Sequence, residues 1–151
     1  MQINIIAIGK ITDKSLIEIY QSYYKKINYS VNLRELIVKK SFSNSKQKQI
    51  YESNKLLEST EKNSYKIALD ERGKIISSVD FADIILDKQN NAINIDLLIG
   101  GADGHSKELQ NNADMLLSFG RMTWPHKLAR IMLIEQIYRA QTITQGHPYH
   151  K

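Results

Sequence analysis

Short apolar runs that end in glycine are the sequence feature that most constrains the fold. The run from Ile93 to Ile99 is rich in β-branched residues and ends at Gly100-Gly101. The run from Met115 to Phe119 ends in the same way at Gly120. Buried strands of an open α/β sheet have this pattern. We expect these two strands to be neighbours, with their glycine loops forming the crevice at the carboxyl edge where such folds bind ligands. The alternative is that these glycines only turn the chain.

Strands and helices are predicted to alternate along the whole chain. Further strands are predicted at Ile3 to Ile8, Val31 to Val38 and Tyr65 to Leu69, the last ending in a turn over Asp70 to Gly73. Helices are predicted from Thr12 or Asp13, over roughly Gln47 to Thr60 with Ile50, Tyr51 and Leu57 inward, from the capping box Ser77 to Asp80, and from Ser106 to about Ala113. This alternation favours an α/β fold with a mostly parallel, wound sheet and helices on both faces. We expect one domain over residues 1–151.

The last helix is predicted to begin at Pro125, a favoured first helical position. From His126 to Ile143 its apolar residues cover more than one stripe, so the helix needs burial on two sides. In a chain of 151 residues the second side is expected to be another subunit. Glu135 and Arg139 are spaced to form an ion pair on the remaining polar edge.

Composition narrows the classes of protein that this chain can be. It has no cysteine, which excludes disulfides and thiolate metal sites and fits a cytoplasmic protein. No apolar run is long enough to span a membrane, and the start lacks the features of a signal peptide. The formal net charge of +5 tilts the expected partner toward a polyanion such as nucleic acid.

The most basic stretch runs from Lys39 to Gln49. One interpretation is a surface loop that leads into a helix. The other is a contact with an RNA backbone, made by lysines at positions 39, 40, 46 and 48.

The loop Gly100 to Gly104 is not a phosphate-binding loop, because it lacks the Lys-Ser/Thr pair and the GxGxxG spacing. Bare glycines beside a carboxylate suit a ligand held by backbone groups, such as an adenosine-plus-amino-acid cofactor without phosphates. Ser106 beside His105 is expected to cap a helix rather than act as a nucleophile. No HExxH spacing exists, so we expect no metal site.

The end of the chain, Gly146 to Lys151, holds two histidines and a tyrosine. A terminal segment is commonly frayed and without function. The other interpretation is that these side chains stack on bases and move protons.

Five short motifs together resemble a known family. They are LD at Leu69-Asp70, IGGADG at Ile99 to Gly104, MTWPH at Met122 to His126, IEQIYRA at Ile134 to Ala140 and HPYHK at His147 to Lys151. In this order they resemble the SPOUT-superfamily enzymes that methylate N3 of a pseudouridine in large-subunit ribosomal RNA. The resemblance runs through the whole chain, although Lys39 to Glu61 is generic. One departure is Trp124, where Phe or Leu is expected.

The resemblance implies a deep trefoil knot near the C-terminus, S-adenosylmethionine as cofactor and a homodimer. The cofactor contacts that it implies are Leu69, Gly100, Phe119, Gly120, Arg121, Met122, Thr123 and Trp124. The catalytic candidates are His126, Arg130, Tyr149 and His150. Among these, we expect His150 to be the base and Arg130 to clamp a phosphate or carbonyl. A rival from another class is a non-catalytic RNA-binding or ribosome-associated module.

Overall fold

The computed structural model describes residues 1–151 as five strands alternating with five helices. The elements are β1 (Gln2–Ile8), α1 (Lys14–Tyr24), β2 (Ser30–Leu36), α2 (Ser45–Glu58), β3 (Tyr65–Ile75), α3 (Ser78–Asn90), β4 (Ile95–Ile99), α4 (Lys107–Asn112), β5 (Met115–Ser118) and α5 (His126–Thr144). The strands form one sheet in the order β2-β1-β4-β3-β5, and every pairing is parallel. The predicted parallel α/β fold is confirmed. None of the helices has the length and apolar character needed to cross a membrane.

Helices cover both faces of the sheet, because alternate side chains of each strand point to opposite sides. On one face, Ile5 of β1 belongs to a core built with α1, α3 and α5. On the other face, its neighbour Ile6 packs in a smaller core with Leu56 of α2 and Leu109 of α4. All four side chains are at most 1% exposed. Strands that are buried on both faces account for the continuous apolar runs in the sequence.

The third strand does not end where we predicted. We expected β3 to stop at Leu69 in a glycine turn, but the strand continues to Ile75. Its pairing with β5 shifts register between Leu69 and Lys74. Gly73 lies in this irregularity, and a Cβ at this position would lie 2.6 Å from the backbone carbonyl carbon of Leu116. The glycine therefore permits a close approach of two strands rather than a turn.

Side-chain caps fix where the helices begin. Asp13 accepts hydrogen bonds from the first turn of α1, and Ser106 caps α4. Ser77 and Asp80 form the reciprocal capping box that we predicted for α3. α5 begins one residue later than predicted, because Pro125 takes the N-cap position.

The second helix buries only part of the face that we predicted. Leu57 packs against the smaller core as expected, but Ile50 is 40% exposed, and the buried residues are Glu52, Ser53 and Leu56. Ser53 Oγ accepts a hydrogen bond of 2.8 Å from the backbone N–H of Ser106. The polar partners of this helix therefore lie in the loop after β4, and they override its apolar spacing.

We expect Gly73→Ala to lower the free energy of unfolding by about 1–3 kcal/mol, because the added methyl group would overlap the β5 backbone. The matched control is Lys74→Ala, which removes an exposed side chain from the next position. Urea denaturation of both variants measures the difference. Equal stability of the two variants would contradict the close approach.

Candidate active site

The carboxyl ends of β4 and β5 meet the middle of β3 at a cavity of about 940 Å³. Its walls include residues Leu69 to Arg72 of β3 and the loops that follow β4 and β5. We expected the two glycine-ended strands, β4 and β5, to be neighbours. The sheet order instead places β3 between them, so Leu69 lies at the centre of the edge.

Seven of the eight predicted cofactor-binding residues line this cavity. They are Leu69, Gly100, Phe119, Gly120, Met122, Thr123 and Trp124. The eighth, Arg121, is exposed and does not line it. The loop after β5 is held by two hydroxyl groups, since Ser118 Oγ donates to the Gly120 carbonyl at 2.7 Å and Thr123 Oγ1 donates to Glu71 Oε2 at 2.9 Å. The loop thus presents Met122 and Trp124, 73% and 43% exposed, beside the cavity.

Charged groups of both signs line the cavity. Asp70, Glu71 and Asp103 contribute carboxylates, and Lys46, Arg72 and Lys107 contribute cations. The amide of Gln110 donates to Asp70 at 2.9 Å and fixes that carboxylate. Such a lining suits a ligand that carries positive and negative groups together. No group of three or more histidine and acidic side chains is arranged to hold a metal ion.

His105 joins two walls of the cavity, a role that we did not predict. Its ring is 5% exposed, and its Nε2 lies 3.0 Å from the Leu69 carbonyl oxygen, to which the neutral ring donates. Atoms of the same ring would lie 3.1 Å from a Cβ at Gly100. Burial lowers the pKa of His105, so the ring is neutral at neutral pH. The only signal in the sequence was a histidine directly after the glycine loop.

Glu52 of α2 packs against the glycine loop after β4, a contact that we did not predict. A Cβ at Gly101 would lie 2.6 Å from Glu52 Oε2, a buried oxygen without a hydrogen-bond partner. Burial raises the pKa of Glu52, while Lys48, 3.9 Å away, opposes that change. Gln49 of the same helix donates to the Asp103 carbonyl at 2.8 Å. α2 therefore holds the loop after β4 in place.

His126 is the one predicted catalytic side chain that lines the cavity of its own chain. It is half-buried at the first position of α5. Burial lowers its pKa, and the nearby cations Arg130 and Lys127 lower it further. A neutral imidazole at neutral pH can accept a proton.

The structure corrects the role that we predicted for Arg130. Its side chain is completely buried and is neither a surface charge nor part of the cavity lining. The guanidinium donates to the carbonyls of Ile8 and Gly9 at 2.5 and 2.8 Å and to Glu35 Oε1 at 2.9 Å. Both terminal nitrogens are thus occupied, and no phosphate of a substrate can replace these partners without opening the fold. Arg130 is a positioning residue rather than a clamp.

The predicted residues of the tail lie at the opposite end of α5. The hydroxyl of Tyr149 donates to Glu135 at 3.0 Å, and its ring packs edge-on against Tyr138 with centroids 4.8 Å apart. Nδ1 of His150 lies 3.3 Å from Arg139 Nη1, and Arg139 pairs with Glu135 as predicted. His126 and Arg139 are about 20 Å apart along the helix axis at 1.5 Å per residue. One chain therefore does not bring the tail to its own cavity.

Acidification should weaken the fold through His105. Because its folded pKa lies below the ordinary value, its contribution to stability is complete above about pH 6.5 and is lost as the pH falls. We expect the free energy of unfolding to fall by up to about 1.4 kcal/mol per pH unit below that point. His126 acts in the same direction, so the variant His105→Asn isolates the effect of His105. Urea denaturation between pH 7.5 and 5.5 should give a shallower slope for this variant, and identical slopes would refute the assignment.

Comparison with known proteins supplies the family context of this cleft. Residues 1–150 match the family model described as "Predicted SPOUT methyltransferase". The chain is 42% identical to a protein of Clostridium novyi (strain NT), with all of both chains covered. It is 39% identical to one of Paramagnetospirillum magneticum, covering all of this chain and 99% of the relative. Both relatives carry the name ribosomal RNA large subunit methyltransferase H. These matches confirm the resemblance found from the sequence motifs.

A solved structure shows the same fold at low sequence identity. It is a probable methylase family protein from Haemophilus influenzae Rd KW20, with a TM-score of 0.60 and 11% identity. The match covers 99% of this chain and 70% of the other.

Proposed function

Because this chain belongs to the SPOUT methyltransferase family, we propose that it transfers the methyl group of S-adenosylmethionine to N3 of a pseudouridine in large-subunit ribosomal RNA. Its relatives over the full length are named as large-subunit ribosomal RNA methyltransferases. The observation that carries the proposal is the cleft formed by the middle of β3 and the ends of β4 and β5, which seven implied cofactor contacts line. Because the proposed substrate is ribosomal RNA, we propose that the enzyme acts in the cytoplasm.

The residues of the cleft fit this cofactor. Leu69 and Trp124 offer apolar surfaces that can flank an adenine, and the Gly100 and Met122 backbones can bind its polar edge. Carboxylates such as Asp103 suit the positive sulfonium and ammonium groups. When bound, the cofactor supplies an electrophilic methyl group.

The protein must also remove the proton from N3 of the target base. His126 lines the cavity and has a lowered pKa, so it can accept that proton directly or through a water. We propose that His150 and Tyr149 of a second copy of the chain complete the site, because the tail of the same chain is held near Arg139. In such a dimer His150 is our candidate for the base, and His126 would take that role only in a site built within one chain. The contacts of Tyr149 and His150 with α5 support a defined position for the tail.

A homodimer is supported by apolar side chains that one chain leaves exposed around the cleft. Met122, Trp124 and Leu128 are 73%, 43% and 38% exposed, and Leu128 lies in the first turns of α5. Burial of such a surface between two copies would supply the second side that the apolar pattern of α5 requires. We also propose the trefoil knot that the family resemblance implies for the C-terminal part.

The rival function is a non-catalytic RNA-binding module. Such a protein has no use for a cleft built from glycine loops, acidic groups and a neutral histidine. Titration of S-adenosylmethionine by calorimetry separates the two functions, because only the enzyme should bind it.

Gly100→Val should abolish measurable binding of S-adenosylmethionine. The branched side chain would press on His105, 3.1 Å from the added Cβ, and would disturb the wall that carries the Leu69 carbonyl. Calorimetry measures the affinity, and circular dichroism checks that the variant folds. The control is Lys62→Val, at an exposed position that does not line the cavity. Wild-type affinity in Gly100→Val would remove Gly100 from the site.

Deletion of residues 147–151 should leave the fold and cofactor binding intact but reduce methylation strongly. The tail contributes little buried area, and in our proposal it serves the partner's site. The assay is transfer of labelled methyl groups to ribosomal substrate. Full activity of the truncated chain would refute a catalytic tail.

A mixed dimer tests whether the site is shared. One inactive chain lacks the tail, and the other carries Gly100→Val. If each site takes its cleft from one chain and its tail from the other, the mixture should recover part of the activity, because one site of each mixed dimer is intact. Absence of recovery, with mixed dimers shown to form, would favour a site built within one chain.

A further inference from the structure

A small groove beside the cofactor cleft combines lysines with aromatic rings. It is formed by the loop before α2 and the first turns of that helix, and we call it the basic-aromatic groove. Lys40, Phe42 and Lys48 line it, Tyr51 packs against Phe42, and Lys46 lies beside it in the first turn of α2. We propose that this groove binds a single-stranded segment of the RNA substrate next to the target nucleotide. The proposal rests on the function proposed above and adds the surface that recognises the substrate.

The groove adjoins the cleft. It encloses about 470 Å³ and is lined by residues that include Lys40, Phe42, Lys48 and Asp103. Asp103 also lines the cofactor cavity, and so does Lys46 from the first turn of α2. When the base of one nucleotide enters the cleft, the adjacent nucleotides of the RNA would therefore lie over the groove.

Two lysines at the groove have no acidic partner. Lys40 and Lys46 are exposed and form no salt bridge, although Lys46 donates to the Gln49 amide oxygen at 3.4 Å. By contrast, Lys48 lies 3.9 Å from Glu52 and 4.0 Å from Asp103, so its charge is largely balanced. Cations whose charge no carboxylate balances gain most from contact with a polyanion.

Aromatic rings hold one of these cations in position. The Nζ atom of Lys40 lies 5.3 Å from the ring centre of Tyr51 and 5.8 Å from that of Phe42. The two rings are 5.2 Å apart and half-buried. The Nζ atom of Lys55 also lies 5.7 Å from the ring centre of Tyr51. The rings thus pre-organise Lys40 and present partly exposed π-surface beside it.

Single-stranded RNA fits this combination better than a duplex or an acidic protein. Unpaired bases stack on aromatic side chains while the backbone meets lysines, and this pairing of contacts is typical of single-strand binding. A duplex would offer phosphates but would keep its bases away from the rings. An acidic protein segment would satisfy the lysines alone.

The first experiment compares Lys40→Gln, Lys40→Arg and Lys62→Gln with the wild type. Lys62 is an exposed lysine in the turn before β3. It lies at the amino-terminal end of the strands, away from the cleft, so it is a control for the loss of one positive charge. Methylation is measured on large ribosomal subunits from cells that lack the protein, at several salt concentrations. S-adenosylmethionine affinity is measured by calorimetry.

We expect Lys40→Gln to raise KM for the subunits about tenfold and to leave the cofactor affinity unchanged. The slope of log KM against log salt should decrease by about 0.7, as for one lost phosphate contact with a single strand. Lys40→Arg should keep KM near the wild-type value, and Lys62→Gln should have no effect. Unchanged KM in Lys40→Gln, or an equal rise in Lys62→Gln, would overturn the proposal. A wild-type chain that binds no cofactor and transfers no methyl group would instead refute the proposed function.

Crosslinking identifies the partner itself. The variant Phe42→p-benzoylphenylalanine places a photoreactive group in the groove, and irradiation on the same subunits should attach it to ribosomal RNA close to the methylated nucleotide. Attachment to a ribosomal protein, to distant RNA or to nothing would overturn the assignment. Loss of this crosslink when Lys40→Gln is combined with the Phe42 variant would support both RNA as the partner and Lys40 as one of its contacts.

Discussion

A fully buried arginine connects the last helix to the edge of the sheet where the cleft lies. Arg130 of α5 donates to the carbonyl oxygens at the end of β1 and to Glu35 of β2, and Glu35 also accepts from the Ile11 backbone at 2.8 Å. Removing one partner of such a buried pair typically costs about 3–5 kcal/mol, since the other charge stays unpaired. The interaction fixes the start of α5, and with it His126 and the loop after β5. It also lowers the pKa of His126 through its charge.

With α5 fixed, the cleft is closed by short contacts between neighbouring loops. His105 links the middle of β3 to the loop after β4, and Thr123 links the loop after β5 to Glu71. Glu52 and Gln49 contact the glycine loop from α2. These contacts fix the walls of the cleft within a single chain. The tail that carries Tyr149 and His150 is held along α5, away from this cleft, and a site shared by two copies is our proposal for how the tail and a cleft would meet.

Local patterns in the sequence predicted the fold and most of the cleft, whereas contacts between distant residues accounted for the errors. Gly100 and Gly120 were found because a strand that ends in glycine is a local signal. Arg130 was misassigned because its acceptor in β1 lies 122 residues away, and an arginine among apolar residues gives no sign of such a partner. Glu52 and His105 were missed for the same reason. Apolar spacing alone could not show that polar contacts with the loop after β4 decide which face of α2 is buried. Nor could it show that Gly73 lets β3 approach the backbone of β5 closely.

The central claim is methylation of N3 of a pseudouridine in the ribosomal RNA by S-adenosylmethionine. The most direct test incubates the protein with ribosomes from cells that lack it and with cofactor carrying a trideuterated methyl group. The RNA is then digested to nucleosides and analysed by mass spectrometry. We expect the deuterated methyl group on N3 of a pseudouridine. Label on a uridine, on a ribose or on another base, or no label in RNA that the protein binds, would contradict the account.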